Sequence, residues 1–352
     1  MSENPAAGTV PRPAADGAVA AEGVSDAVPP VFRRNDLVPL AVLALIGALA
    51  VTFSSSGFSQ GLIGQWAILA IAGLGFYLAF GIGGQFTFAQ AAFVGVGAYG
   101  ASYLTQVHDV PFVPALLAGT FLAALVAALL FVLIRRCSAF YFAIATLAFA
   151  FLAVVVFRQW TAFSGPGGER TNLPGIGLLS EPLKGRPLVA FLVALVAVFL
   201  VLALLVERSP ITRDATALRE LPVATPTFGI DPTRIRFTMF VAGSAFGGAA
   251  GALMVHRTGV VQSELFDIPL AIDLFLVLFF GGLGSAWGPL LGAAFVVWAP
   301  EQLRFIGRDQ ELVFGILLIL IMIFVPDGLV GIGSRLRQFL GRRPPAPPSV
   351  TG

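Results

Sequence analysis

The stretch Glu311-Leu-Val-Phe-Gly-Ile-Leu-Leu-Ile-Leu-Ile-Met-Ile-Phe-Val-Pro326 decides the fold class of this sequence. Within residues 312–325, twelve side chains are Leu, Ile, Val or Phe. At roughly −0.3 to −0.6 kcal/mol for each of them, insertion into a bilayer is favourable by about 4 to 7 kcal/mol. A soluble protein can bury one such helix in its core, so the rest of the chain must decide between a membrane and a core.

Nine further segments are also predominantly apolar, and most have the roughly 17–25 residues that a membrane-spanning helix needs. They are residues 37–53, 62–82, 87–105, 112–134, 139–157, 187–206, 237–256, 269–282 and 287–303. Their apolar runs are continuous and do not alternate, which favours helices over a β-barrel. The sequence therefore predicts an all-α integral membrane protein, a polytopic bundle of about 8–10 transmembrane helices with glycine-rich broken segments.

The composition agrees with a membrane protein and excludes several other classes. Of the 352 residues, 57% are hydrophobic and 11% are charged, whereas soluble domains are about 25% charged. A single cysteine, Cys137, rules out a disulfide within the chain, and His108 and His256 add too few ligands for a Cys/His metal site. We therefore expect no metal, and we expect no cofactor. We also expect no nucleic-acid partner, because the basic residues lie between apolar segments, where they set orientation.

The distribution of basic residues predicts the topology. Ten spans that start from a cytoplasmic N-terminus put 14 of the 21 basic residues on the cytoplasmic side. We therefore expect a multi-pass protein of the inner or plasma membrane with both termini in the cytoplasm. Residues 1–36 are predicted to be a disordered cytoplasmic tail, 37–330 the transmembrane domain, and 331–352 a cytoplasmic tail rich in Arg and Pro. The loop 158–186 is then external and the loop 207–236 cytoplasmic.

Two glycine-rich stretches interrupt apolar sequence: Gly81-Ile-Gly-Gly-Gln-Phe-Thr87 and Gly281-Gly-Leu-Gly-Ser-Ala-Trp-Gly-Pro289. Broken helices free backbone N–H and C=O groups, which are tolerated where they line a cavity. Paired interruptions in the two halves of a transporter point to its pathway. Alternatively, both stretches are tight cytoplasmic turns between helices. The candidate pathway or hinge residues are Gly83, Gly84, Gln85, Gln90, Asp273, Gly281, Gly282, Gly284 and Ser285.

Two features inside the spans predict contacts with protein. Gly243, Gly247 and Gly251 recur at helical spacing and form a bare stripe that allows another helix to approach closely. Asp273 is the clearest ionisable residue within a span, and a carboxylate at that depth is costly unless it faces protein or water. It is either a functional acid or a helix-end acid at the outer interface.

The loop 207–236 contains a short polar helix. Ser209 can cap it, Pro210 suits its first turn, and residues 211–220 continue it. Such a helix on the inner face can dock in a groove of another protein, or it is a plain basic surface helix. The one lysine, Lys184, does not follow the Gly-x4-Gly pattern of a P-loop, so ATP hydrolysis by that route is excluded. We expect the chain not to be an enzyme.

Three groups of residues resemble the LivM-type permeases of ABC importers for branched-chain amino acids. They are Gly84-Gln85 with Gly97-Ala98-Tyr99, then Gly281-Gly282-x-Gly284-Ser285 with Gly288-Pro289, and the loop from Ser209 to Ile230. The resemblance covers roughly residues 37–330. It implies a permease subunit that moves branched-chain amino acids or a similar small solute. It also implies separate ATP-binding ABC subunits, a second homologous permease and an extracytoplasmic solute-binding protein as partners.

The same resemblance implies which residues couple the chain to the ATPase. They are Arg213, Leu218, Arg219, Glu220 and Gly229. The chain departs from the family pattern at Thr212, Leu221 and Pro222 and adds Pro226, so we expect the coupling helix to end near Glu220. Thr87-Phe88-Ala89 also replaces the usual Ser-Leu-Gly, which leaves the transported solute open.

Other functions remain open at this stage. A permease of the same family for urea or short amides differs only in substrate. A self-sufficient secondary carrier would take up solute without ATP, but no chain of buried acids crosses the predicted membrane region. A membrane-embedded enzyme would need a convergent set of catalytic residues, and a scaffold would have no solute-dependent phenotype.

Overall fold

The computed structural model describes residues 57–177, 183–220 and 231–304, together with 313 and 315. Its helices are α1 (Gly57–Phe76, continued as a π-helix over Tyr77–Ile82), α2 (Gln90–Val107), α3 (Phe112–Ile134), α4 (Ala139–Gln159), α5 (Thr161–Ser164), α6 (Arg186–Glu207), α7 (Pro210–Glu220), α8 (Pro232–Thr258), α9 (Ile268–Gly281) and α10 (Gly288–Gln302). Strands β1 (Glu169–Arg170) and β2 (Val261–Gln262) pair antiparallel, and 3₁₀ turns cover Pro166–Gly168 and Ser263–Phe266. The predicted spans 37–53 and 311–326 and both predicted tails lie outside the described residues, apart from 313 and 315.

Every predicted span between residues 62 and 303 coincides with a helix, which confirms a polytopic α-helical protein. Within the described residues, five helices are long and apolar enough to cross a membrane: α1 with its π-helical end, α3, α4, α6 and α8. The helix α2 is less apolar because protein surrounds it, and every residue from 90 to 102 is buried. A helix enclosed by other helices needs small side chains more than a lipid-facing stripe.

The central helix is α8, which packs against α1, α2 and α3. Gly243 of α8 meets the backbone of Gly75 on α1, and Gly251 meets the backbone of Val94 on α2. A Cβ atom at Gly251 would overlap the carbonyl oxygen of Val94, so glycine is required for this approach. The predicted stripe that includes Gly247 is therefore a helix-packing surface.

The helix ends define two faces of the bundle. Helices α1 and α8 run antiparallel, because Arg257 Nη1 donates to the Gly61 carbonyl at 3.0 Å near one end, while Gly83 lies beside Met239 near the other. We call the end that carries α7, the C-termini of α1, α3, α6 and α9, and the N-termini of α4, α8 and α10 the α7 face. The opposite end, with β1 and β2, is the β face.

Helix α2 begins inside the bundle. Gln90, its first residue, donates from Nε2 to the carbonyl oxygens of Gly243 at 3.0 Å and Ala72 at 3.4 Å. Because α1 and its π-helical end continue from Ala72 to Ile82, α2 starts roughly 15 Å below the α7 face. Residues 83–89, the first broken segment, bring the chain back to that depth outside any regular helix.

Helix α9 also begins inside the bundle, but in the opposite direction. Its Phe275 ring lies 4.7 Å from that of Phe76, and Phe279 lies 6.1 Å from Phe80, so α9 runs parallel to the end of α1. Counting back along the helix places Ile268 roughly 12 Å inside the level of Gly61 on the β face. Residues 259–267, the second broken segment, connect the end of α8 to this inner position. In each of the pairs α1–α2 and α8–α9, a broken segment connects a long helix to one that begins inside the bundle, and the two pairs have opposite orientations.

This arrangement distinguishes the two interpretations that the sequence leaves open for the second glycine-rich stretch. The stretch 281–289 is a turn on the α7 face, where Gly281 and Gly288 touch as α9 passes into α10. A second break lies instead at 259–267, of which Phe266 and Asp267 reach the inner start of α9, and glycine content did not predict it. A turn at the membrane surface and a break within it both need glycine, so composition alone does not separate them.

The close approach of α8 and α2 gives a testable prediction. Gly251→Ala should destabilise the protein by about 1–3 kcal/mol or more, because its new methyl group is forced into the Val94 carbonyl. Gly61→Ala is the matched control, since a Cβ there meets nothing within 4 Å. Thermal unfolding in detergent should show a lower midpoint for Gly251→Ala alone. Equal midpoints for the two variants would contradict the packing.

Candidate functional site

Polar side chains replace helical hydrogen bonds along the first broken segment. The backbone N–H of Phe88 donates to Thr146 Oγ1 at 3.2 Å, and that of Ala89 donates to Thr87 Oγ1 at 3.1 Å. Gln85 Nε2 donates to the Arg236 carbonyl at 2.6 Å, which ties the segment to the start of α8. Gln85 Oε1 is buried and has no partner among the described residues. The segment is therefore held at depth by side chains from α4 and from its own turn.

Six phenylalanine rings connect the first broken segment to α9. This phenylalanine cluster consists of Phe76, Phe80, Phe86, Phe88, Phe275 and Phe279. Phe275 lies 5.1 Å from Phe86 and 5.0 Å from Phe88 between ring centroids. Since the rings have no hydrogen-bonding groups, the two elements can shift against each other without breaking a polar contact. Phe86 is 38% exposed and marks the open side of the cluster.

Both inner helix starts border one hollow of about 420 Å³, its open mouth included. Phe88 and Ala91 contribute from the start of α2, and Asp267 and Ile272 from the start of α9. The remaining lining residues are Leu147, Ala150, Phe151, Phe266, Ile268 and Ala271. The Asp267 carboxylate caps α9 by accepting from the backbone N–H of Ile268 at 2.8 Å. The wall of the hollow is otherwise apolar.

The predicted pathway residues separate into groups. Gly83, Gly84 and Gln85 lie in the first broken segment, with Gly84 at a φ of 65°. Gln90 is buried between α1, α2 and α8 and serves as a strut at that junction. Asp273 lies in the second turn of α9, half-buried and inside the bundle, so it is not a helix-end acid at the outer interface.

None of the nine predicted residues lines the hollow, and the other four lie farthest from it. Gly281 ends α9, and Gly282, Gly284 and Ser285 form the turn on the α7 face. Ser285 Oγ accepts from the backbone N–H of Trp287 at 3.3 Å, which stabilises that turn. The structure thus brings Phe88, near the end of the first broken segment, to the start of α9, whereas Gly83, Gly84 and Gln85 lie toward the α7 face and the second glycine-rich stretch forms a turn there.

Helix α7 lies on the α7 face, and hydrogen bonds fix the turn that joins it to α6. Ser209 Oγ and Thr212 Oγ1 both donate to the carbonyl oxygen of Val206, at 2.7 and 2.6 Å. Leu218 is only 8% exposed, so it anchors α7 to the bundle and is not available to a partner. Arg213 points outward and is exposed. The side chains of Arg219 and Glu220, and the predicted positions Gly229, Leu221, Pro222 and Pro226, lie outside the described residues.

The β face is closed by residues 160–177 and the second broken segment. Arg170 donates to Gln106 Oε1 at 2.7 Å and to the Phe163 carbonyl at 2.8 Å. Burial lowers the pKa of the Arg170 guanidinium, which still remains a cation at neutral pH. Arg158 and Glu264 form an exposed ion pair of 2.9 Å, worth little in water. Among the described residues, no cluster of His, Cys, Asp or Glu could hold a metal ion.

Comparison with known proteins adds sequence relationships to this geometry. Residues 58–326 match the family model of the branched-chain amino acid transport system permease component. The chain is 29% identical over 81% of its length to the high-affinity branched-chain amino acid transport system permease protein LivM of Salmonella typhimurium, covering 73% of that protein. It is also 29% identical, over 82% of its length, to LivM of Escherichia coli, of which it covers 74%.

A third relative matches a shorter region. The permease protein BraD of a Pseudomonas aeruginosa high-affinity branched-chain amino acid transport system is 30% identical over 46% of this chain and 54% of its own length. No solved structure matches the chain.

The strut at the start of α2 can be tested. Gln90→Glu should destabilise the protein by several kcal/mol, because a buried carboxylate would face the carbonyl oxygens of Ala72 and Gly243. Gln90→Met, which only removes the hydrogen bonds, should cost about 1 kcal/mol. Gln106→Glu makes the same change on the exposed β face beside Arg170 and should be tolerated. Yield of monodisperse protein and unfolding midpoints in detergent measure all three, and a stable Gln90→Glu would contradict the buried strut.

Proposed function

The chain belongs to the family of branched-chain amino acid transport system permease components, and from this we propose that it is the membrane-spanning permease of an ATP-driven importer for these amino acids. As a member of that family it is a transporter subunit and not an enzyme. Its long apolar helices make it a multi-pass membrane protein.

The observation that carries the proposal is the pair of broken segments that meet at one hollow. Hydrocarbon cannot bind backbone N–H and C=O groups, so irregular backbone at depth is stable only within protein or beside a water-filled cavity. Both segments satisfy this condition if they line a route through the bundle. Phe88 and Ile272 would then form part of its wall, together with Asp267 at the start of α9.

The lining of the hollow favours one substrate class. Leu147, Phe151 and Ile272 present apolar surface that suits an aliphatic side chain of a branched-chain amino acid. Urea and short amides lack such a side chain and would leave this surface unused. The apolar wall therefore supports branched-chain amino acids over the smaller polar solutes.

We further propose that α7 docks into a separate ATPase subunit. Arg213 is exposed on α7, while Leu218 fixes the helix to the bundle, which suits a helix that transmits force. The α7 face would then be cytoplasmic, as would both chain termini. Arg135, Arg136 and Arg208 lie at this face, in agreement with the positive-inside rule. A second homologous permease and an extracytoplasmic binding protein would complete the importer.

Uptake by the assembled complex tests the proposed function. The full chain, isolated from its native membranes with the subunits that copurify, is placed in liposomes with enclosed ATP and given radiolabelled leucine. We expect leucine accumulation that requires ATP and far exceeds that of labelled urea. Accumulation without ATP by the chain alone would support a secondary carrier and contradict an ATP-driven permease.

A double charge reversal tests the coupling helix. Arg219→Glu with Glu220→Arg should lower ATP-dependent leucine uptake by about tenfold or more, because the proposed contact with the ATPase would then bring like charges together. Insertion into the membrane should remain normal. Arg304→Glu with Glu301→Arg is the matched control, since this exposed ion pair of 3.1 Å lies toward the β face. Unchanged uptake in the first variant would contradict docking through α7.

A further inference from the structure

Glu207 joins three separate elements at the α7 face. It is the last residue of α6, and its Oε2 accepts from the backbone N–H of Ala286 at 3.1 Å. The Tyr77 hydroxyl lies beside the Glu207 carboxylate. One half-buried side chain therefore connects the end of α6, the π-helix that ends α1, and the turn between α9 and α10.

Tyr77 is connected to the first broken segment through the π-helix. It opens the π-helix Tyr77–Ile82, which leads directly into residues 83–89. Its ring lies against Gly81, where a Cβ atom would come within 2.6 Å of Tyr77 Cδ2. A π-helical turn is a strained departure from the α-helix and often occurs at functional sites. A pull on the Tyr77 hydroxyl is thus transmitted to the start of the broken segment.

Glu207 is in turn connected to α7. Only Arg208 and Ser209 separate it from the first residue of α7, Pro210. The hydroxyl groups of Ser209 and Thr212 both bind the Val206 carbonyl, so the corner between α6 and α7 is braced from both sides. A displacement of α7 must then displace the Glu207 carboxylate.

Through Ala286, the same carboxylate also contacts the turn between α9 and α10. The turn that contains it follows α9, whose opposite end borders the hollow. Because α9 is a short helix of 14 residues, a shift of its C-terminal turn can reach its N-terminus as a rigid movement. The carboxylate thus contacts the turn that follows α9 and lies beside the π-helix that leads into the first broken segment.

We propose that Glu207 is a positioning residue that carries the movement of α7 to both pathway-forming elements, through Tyr77 to the first broken segment and through Ala286 to α9. This inference rests on the proposed function of the chain as an ATP-driven permease. It assigns to a single carboxylate the mechanical connection between the motor-facing helix and the route for the solute.

Two conservative variants test the connection in the reconstituted full complex. Glu207→Gln keeps the side-chain shape but removes the charge and turns one acceptor oxygen into an NH2 donor, so the charge-assisted contacts with Ala286 and Tyr77 are weakened or lost. Tyr77→Phe removes only the hydroxyl group. In each variant we expect ATP hydrolysis within about twofold of the unmodified complex, while leucine uptake per ATP hydrolysed falls about tenfold. Uptake per ATP hydrolysed in the double variant should be no lower than in Glu207→Gln alone, because Tyr77→Phe removes a contact that Glu207→Gln already disrupts.

Matched controls and outcomes separate this inference from the proposed function. Glu301→Gln makes the same change as Glu207→Gln but toward the β face. Tyr141→Phe makes the same change as Tyr77→Phe but at an exposed residue of α4. Both controls should leave the ratio of uptake to hydrolysis unchanged. If the unmodified complex shows no ATP-dependent uptake, the proposed function itself fails. If it transports normally, and the Glu207 and Tyr77 variants keep its uptake per ATP, the connection is refuted. A proportional fall of uptake and hydrolysis would equally refute it, since that result indicates only lost folding.

Discussion

Hydrocarbon offers no partner to a backbone N–H or C=O group, and the whole structure is arranged around this constraint. Most of the described chain satisfies it with helices. Residues 83–89 and 259–267 do not: Gln85, Thr87 and Phe266 are buried, while Gln262 and Glu264 of the second segment are exposed on the β face. The first segment replaces helical hydrogen bonds with Thr87 and Thr146, and the second is covered by residues 160–177 on the β face. Irregular backbone at depth is costly, so its presence in two inverted copies indicates a functional requirement.

The glycine stripe of α8 makes this arrangement possible. Since Gly243 and Gly251 let α1 and α2 approach backbone to backbone, α8 can contact both elements that adjoin the first broken segment. The helix α2 can then begin inside the bundle, with the Gln90 amide holding α1 and α8 at that level. The inner starts of α2 and α9 come to opposite sides of one hollow as a result. Close packing and broken helices are therefore parts of a single arrangement that forms the hollow.

Sequence predicted most of the fold because the signals for membrane helices are local and strong. The break at Gly81–Thr87 was also readable, since glycines and Gln85 interrupt an apolar run. The break at 259–267 was not, because Gly259-Val-Val-Gln-Ser-Glu-Leu-Phe-Asp267 has one glycine and reads as an ordinary external loop. Its depth becomes visible only through the contact of Phe275 with Phe76. The role of Glu207 was equally hidden, since its partners lie 130 positions before it and 79 after it.

Cysteine accessibility at the hollow tests most directly whether water reaches the broken segments. In a chain whose one native thiol is removed by Cys137→Ser, Phe88→Cys lies at the hollow and Leu125→Cys on the exposed surface of α3, near mid-membrane. We expect a charged, membrane-impermeant thiol reagent to modify Phe88→Cys in the assembled importer, at a rate that ATP changes. Leu125→Cys should not react, because lipid covers it. Equal protection of both cysteines would contradict a solvent-accessible route along the broken segments.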